Sequence, residues 1–199
     1  MKLARFYLIV DDVSWIARMV PLGVKLIQLR IKDSNEREIG RQLRNALKIC
    51  ADHGAQLVVN DYWQIAIDEG CDFVHLGQED LDTADLNAIR GAYMRLGLST
   101  HDHDELARVL PLKPDYVALG PIYPTRLKAM RFAPQGLARI GEWKKLIGDI
   151  PLVAIGGLNI ERATLALEAE ANIVAVVTDV TLHADPEARV REWLNVVPE

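Results

Sequence analysis

Short apolar runs alternate along the chain with longer amphipathic stretches, and small polar loops separate the two. A strand buried on both faces reads as a near-continuous apolar run, whereas an amphipathic helix shows apolar residues three or four apart. On that basis strands are predicted at Phe6 to Val10, Val24 to Leu29, Gln56 to Asn60, Asp72 to Leu76, Arg95 to Leu98, Asp115 to Leu119, Ile150 to Ile155 and Asn172 to Val177. Between them, Ile39, Leu43, Ala46, Leu47 and Cys50 share one face of a helix that starts after Ser34 and stops at His53-Gly54, where glycine suits a left-handed terminal residue. Asn159 is placed to cap a helix from Ile160 to Glu170, its side chain accepting a first-turn backbone N–H.

About eight strand-helix units in 199 residues, with no Ser-, Gly- or Pro-rich linker, predict a single-domain (β/α)8 TIM barrel over residues 1–199, near the lower size limit of roughly 200 residues. A doubly wound open sheet would need a glycine-rich turn after its first strand, and Val10-Asp11-Asp12-Val13 has none.

Composition narrows the function without naming it. A chain that is 50% hydrophobic and 26% charged is an ordinary globular sequence. Its net charge of -5 and lack of a basic stripe give no support to non-specific nucleic-acid binding, which depends on clustered Lys and Arg. No run approaches the roughly 20 apolar residues of a membrane span, and Asp11 and Asp12 cut the first apolar run below the about 7 residues a secretory segment needs. Cys50 and Cys71 lack CxxC spacing and read as buried free thiols in a reducing cytoplasm.

The chemistry gathers where the strands end, which in this fold is one mouth. Strand 2 delivers Gln28, Arg30 and Lys32 at alternate positions, hence on one face. Strand 3 ends in Asn60 and Asp61, strand 4 in His75, Gln78, Glu79 and Asp80, and strand 5 in Ser99, Thr100 and His101. Asp61 and Asp80 form a carboxylate pair suited to Mg²⁺, which keeps several waters and bridges one or two carboxylates to substrate phosphates. His75 reads as a hydrogen-bonded core or rim residue, and His101-Asp102-His103 as a solvated helix start. The longest loop, Gly120 to Gly136, brings Thr125, Arg126, Lys128 and Arg131 to the same end. Gly156-Gly157 after strand 7 and Thr178 after strand 8 fall where this fold recurrently binds phosphate. Two anion sites are therefore expected, and small phosphorylated molecules as partners.

These segments resemble the thiamine phosphate synthase family over essentially the whole chain. The resemblance is carried by Gln28-Leu29-Arg30-Ile31-Lys32, Asn60-Asp61-Tyr62-Trp63, His75-Leu76-Gly77-Gln78-Glu79-Asp80-Leu81, Ser99-Thr100-His101, Gly120-Pro121-Ile122-Tyr123-Pro124-Thr125, Lys128, Ala133-Pro134-Gln135-Gly136 and Ala154-Ile155-Gly156-Gly157. It implies that Gln28, Leu29, Arg30, Ile31, Lys32, Asn60, Ser99 and Lys128 bind hydroxymethylpyrimidine diphosphate, with Arg30, Lys128 and Ser99 acting in catalysis. It further implies that Asp61 and Asp80 hold Mg²⁺, and that Thr125, Arg126, Leu127, Gly157, Val177 and Thr178 take the thiazole phosphate. The implied reaction is dissociative loss of diphosphate followed by attack of the thiazole nitrogen, giving thiamine phosphate.

Two positions depart from the family pattern. Leu127 stands where a hydroxyl residue is usual, and Asp179 follows Thr178 where alanine is usual, so a weakened thiazole phosphate site is expected. The alternatives are a thiazole tautomerase-like isomerase, which needs no diphosphate-binding metal site, and a non-catalytic barrel that binds thiamine phosphates and regulates a partner.

Overall fold

The computed structural model describes residues 3–125 and 132–197. Its elements run in the order β1 (Phe6–Val10), α1 (Val13–Met19), β2 (Leu26–Leu29), α2 (Glu36–Asp52), β3 (Gln56–Asn60), α3 (Trp63–Asp68), β4 (Phe73–Leu76), α4 (Gln78–Thr83), α5 (Leu86–Gly91), β5 (Arg95–Thr100), α6 (His103–Val109), β6 (Tyr116–Leu119), α7 (Gly136–Ile147), β7 (Leu152–Ile155), α8 (Ile160–Glu168), β8 (Ile173–Val176), α9 (Thr178–Thr181) and α10 (Pro186–Val196). The strands pair in parallel, each with its sequence neighbours, and β8 returns to β1 to close the barrel. Closure leaves no strand edge unpaired.

Period-two alternation sorts each strand between two layers. Tyr7, Ile9, Leu26, Val58, Phe73, Tyr116, Ala118, Val153, Ile173 and Ala175 fill the barrel interior. Phe6, Leu8, Val10, Ile27, Leu29, Val59, Leu76 and Leu98 face the helices. Each such fully buried aliphatic side chain stabilises the fold by about 1.5 to 3 kcal/mol relative to exposure.

Local chemistry sets the helix ends. Asn35 rather than Ser34 caps α2, its Oδ1 accepting the Glu38 N–H at 3.0 Å. Gly54 takes the left-handed conformation after that helix, as expected. Asn159 caps α8 by accepting the Arg162 N–H at 2.9 Å, but α8 stops at Glu168 and Glu170 itself turns left-handed (φ 77°) to start the path into β8. β5 continues past Leu98 to Thr100, because Ser99 and Thr100 keep pairing with Ala118 and Leu119 of β6.

Candidate active site

The C-terminal mouth of the barrel is built from alternate residues of β2 to β5. Gln28 and Asn60 are 3% and 5% exposed, His75 is 9% exposed, and Ser99 is half-buried at the strand end. Beyond β2 the chain keeps its alternation: Arg30 and Lys32 are exposed, while Ile31 is buried with Leu29 in the helix-facing layer. Leu29 and Ile31 therefore have only backbone groups to offer a ligand.

Asp61 follows β3 in a left-handed conformation, φ 66°. For a residue other than glycine that costs about 1 to 3 kcal/mol and marks a position the surrounding structure enforces. Its N–H donates to the His75 carbonyl at 3.0 Å, and Trp63 N–H donates to its carbonyl at 2.7 Å, so the turn is held from both sides. Lys32 Nζ reaches its Oδ2 at 3.1 Å. Asp80, in the first turn of α4, approaches the same carboxylate. Partial burial pushes its pKa up, the charge of Asp61 and a hydrogen bond with it push it further, and Lys32 and the Gly77 backbone oppose. Two carboxylates this close call for a cation, and Lys32 matches only part of their charge. No group of three His, Cys, Asp or Glu side chains assembles a metal cage among the described residues. That donor set fits Mg²⁺ held jointly with water and a phosphorylated ligand rather than caged by protein alone.

His75 lies inside the barrel with both ring nitrogens engaged. Tyr116 Oη is 2.8 Å from Nδ1 and Ser99 Oγ is 2.9 Å from Nε2. Burial drives its pKa down to about 4, the charge of Asp80 opposing and that of Arg30 assisting. It is neutral at physiological pH. Tyr116 in turn meets Tyr7 at 3.0 Å, and Gln28 Nε2 donates to Tyr7 at 2.8 Å. Burial raises the pKa of both phenols, so both keep their protons. Tyr7 and Tyr116 were invisible as site residues in the sequence, since a tyrosine inside an apolar run reads as core. The nearest signal is Gly97 in the middle of β5: a Cβ there would overlap the Tyr116 ring.

Gln78 donates from Nε2 to the Ser99 carbonyl at 2.6 Å and so fixes the end of β5. His101 bonds through Nδ1 to Glu105 at 2.7 Å and stacks on Phe132 with centroids 4.7 Å apart. His103 bonds to Glu142 at 2.7 Å on the outer surface. The His101-Asp102-His103 motif is thus a helix start, capped by Asp102 accepting the Glu105 N–H.

The residues expected to form a second anion site come from the loops after β6, β7 and β8. Gly156 and Gly157 are left-handed (φ 99° and 66°), and a Cβ on Gly157 would lie 2.5 Å from the Pro124 carbonyl oxygen. The loops after β6 and β7 lie directly on one another here, joined by Ile122 N–H to Ile155 O (2.9 Å) and Tyr123 N–H to Gly156 O (3.0 Å). Thr125 is half-buried at the end of this segment. The far end of the loop is pinned by Gln135 N–H to Pro121 O at 2.8 Å. Arg126, Leu127 and Lys128 lie outside the described residues, as does Arg131. Val177 directs its side chain into the interior cluster, leaving backbone for a ligand, and Thr178 opens α9 with a half-buried hydroxyl.

The negative charge that Asp179 was expected to bring toward the phosphate site has a compensating cation, though not one from the loop after β6: its carboxylate accepts from Arg189 Nε at 2.8 Å, Arg189 Nη2 at 3.1 Å and Trp193 Nε1 at 2.8 Å. Its charge is matched within the protein, and its role is to tie α9 to α10.

A closed (β/α)8 barrel with an acidic pair and cations at its C-terminal mouth defines a phosphate-handling barrel enzyme. The family model described as thiamine monophosphate synthase matches residues 6–180, and the chain belongs to that family. It is 59% identical to a thiamine-phosphate synthase of Rhizobium etli over 194 residues, covering 98% of this chain and 95% of the relative. Identity to a thiamine-phosphate synthase of Serratia proteamaculans is 46% over 191 residues, with 96% and 90% covered. The solved thiamine phosphate pyrophosphorylase of Pyrococcus furiosus superposes with a TM-score of 0.87 at 24% identity, covering 98% of this chain and 95% of that one, a likeness of fold.

Proposed function

We propose that this chain is a transferase that joins hydroxymethylpyrimidine diphosphate to thiazole phosphate, releasing diphosphate and forming thiamine phosphate. The observation that carries this reading is the Asp61–Asp80 pair set beside Lys32, with Arg30 exposed just past the end of the neighbouring strand β2. In the reaction the methylene carbon–oxygen bond of the pyrimidine breaks and the diphosphate keeps the electron pair. The thiazole nitrogen then supplies a new pair to that carbon. No general base is needed, and His75, buried with both ring nitrogens engaged and its pKa lowered to about 4, would be a weak one.

Arg30, Lys32 and Lys128 stabilise charge developing on the departing diphosphate, a contribution that grows in a water-excluded site. Gln28, Asn60 and Ser99 hold the pyrimidine ring; the Asn60 side chain has no hydrogen-bond partner among the described residues, which leaves it free for a ligand. Backbone at Gly157 and Val177, with Thr178, Thr125, Arg126 and Leu127, holds the thiazole phosphate. Asp61 and Asp80 would hold Mg²⁺, which when bound supplies positive charge to the diphosphate oxygens. Alignment of the two rings lowers the barrier by converting a two-body encounter into a positioned one.

A tautomerase-like isomerase would leave the acidic pair without a purpose. The buried, unreactive thiols of Cys50 and Cys71, both pushed up to about 12 by burial, suit a reducing cytoplasm. Incubation with both substrates and Mg²⁺ should yield thiamine phosphate and diphosphate in equal amounts. Binding of thiamine phosphate without turnover would favour the regulatory barrel instead.

A further inference from the structure

We infer that Tyr7, Tyr116 and His75 are positioning residues, forming a one-way hydrogen-bond chain through the barrel that makes Gln28 present an acceptor and Ser99 a donor to one substrate. The inference rests on the substrate roles proposed above for Gln28 and Ser99. The chain itself runs Gln28 Nε2, Tyr7 Oη, Tyr116 Oη, His75 Nδ1, with Nε2 to Ser99 Oγ, in steps of 2.8, 3.0, 2.8 and 2.9 Å.

Its direction follows from counting protons. Tyr7 is 1% exposed, and its hydroxyl has two partners, the Gln28 amide nitrogen and Tyr116. The amide N–H can only donate, so the Tyr7 proton must go to Tyr116, because a buried hydroxyl proton without an acceptor is costly. Tyr116, fully buried, must then donate to His75 Nδ1. That places the imidazole proton on Nε2, where it donates to Ser99 Oγ. Ser99, at the half-buried end of β5, keeps its own proton for an acceptor in the mouth. At the other end Gln28 Oε1 has no partner among the described residues and is not sealed from solvent, so it faces the mouth as an acceptor.

The two ends are therefore coupled. The ligand that fits offers a donor to Gln28 and an acceptor to Ser99, as an aminopyrimidine diphosphate does. A pyrimidine with a carbonyl in place of the amino group would require Gln28 to turn its amide. That reverses every bond in the chain and directs the Ser99 proton inward, so the wrong ring is penalised twice.

The test begins in the free protein. Long-range ¹H–¹⁵N NMR of histidine-labelled protein, with His75 assigned by loss of its signals in His75→Gln, should show a proton on Nε2 and a bare Nδ1. Gln28→Glu at alkaline pH places an acceptor against Tyr7 and should move the proton to Nδ1, a change that a merely structural network would not make. Tyr116→Phe should weaken pyrimidine diphosphate binding roughly tenfold while thiazole phosphate binding holds. A proton on Nδ1 in the wild type, or an unmoved tautomer in Gln28→Glu, overturns the chain whatever the substrate roles. The expected tautomers combined with unchanged pyrimidine diphosphate affinity in Gln28→Ala and Ser99→Ala would overturn the substrate roles, and the positioning claim with them.

Discussion

The two ends of the barrel use polar residues in opposite ways. At the N-terminal end Gln56, Asp72 and Arg95 satisfy one another: Gln56 Nε2 donates to Asp72 at 2.7 Å, Arg95 donates to Asp72 at 3.1 Å and also to Gln56, and its guanidinium lies over the Phe73 ring at 4.5 Å. At the C-terminal end the Asp61 and Asp80 carboxylates lie close together with Lys32 3.1 Å from Asp61, and Asn60 has no side-chain partner among the described residues. The first set is satisfied within the protein; the second leaves carboxylate charge and the Asn60 amide unmatched among the described residues. Electrostatic satisfaction thus distinguishes the two ends, and the less satisfied one is the end at which this fold usually carries chemistry.

The largest effect should come from the unsatisfied end. Asp80→Ala should lower turnover by about a hundred- to a thousandfold, the scale for removing one preorganised electrostatic group, while the thermal midpoint barely moves. Full activity in metal-free buffer would remove the metal role from this end altogether.

Next comes pH. With the His75 pKa at about 4 in the fold against 6.5 for a free imidazole, the unfolded chain binds the extra proton between those values. Stability from this group is whole above about 6.5 and is lost as pH falls toward about 4, a loss on the order of 3 kcal/mol. Urea titrations of wild type and His75→Gln on either side of that window should differ in slope with pH; parallel curves would contradict the burial argument.

The satisfied end should respond in stability alone. Arg95→Ala leaves Gln56 and Asp72 without their shared donor and should cost about 1 to 3 kcal/mol in denaturant unfolding, with kcat and both KM values unchanged. Altered kcat would mean that the two ends are not separable. The smallest effect is expected at Asp179: since Arg189 and Trp193 already hold its carboxylate, Asp179→Ala should leave thiazole phosphate affinity unchanged and lower stability instead. Tighter binding by calorimetry would return its charge to the phosphate site.

Much of this was legible in one dimension. Each strand overlaps its predicted apolar run, with ends displaced by no more than about two residues, and Asn159 begins and Gly54 ends a helix where side-chain chemistry or its absence demands. Alternation along β2 put Gln28 on one face and Leu29 on the other, and the fold keeps that division. Asp179 shows the limit. Ten residues separate it from Arg189, and no local pattern told that α10 would pack its arginine and Trp193 against α9. Tyr7 and Tyr116 are a second case, 109 residues apart in sequence and joined only because closure brings β1 and β6 to face each other across the interior.

By itself the sequence determined the periodicities, and with them the layers, the strand ends and the family, because a backbone's repeat of two or 3.6 residues writes itself directly into apolar spacing. Tertiary structure alone decided which charges among the described residues are matched and which are not. Matching depends on contacts across the barrel and between helices, and those distances exist only once the chain has closed.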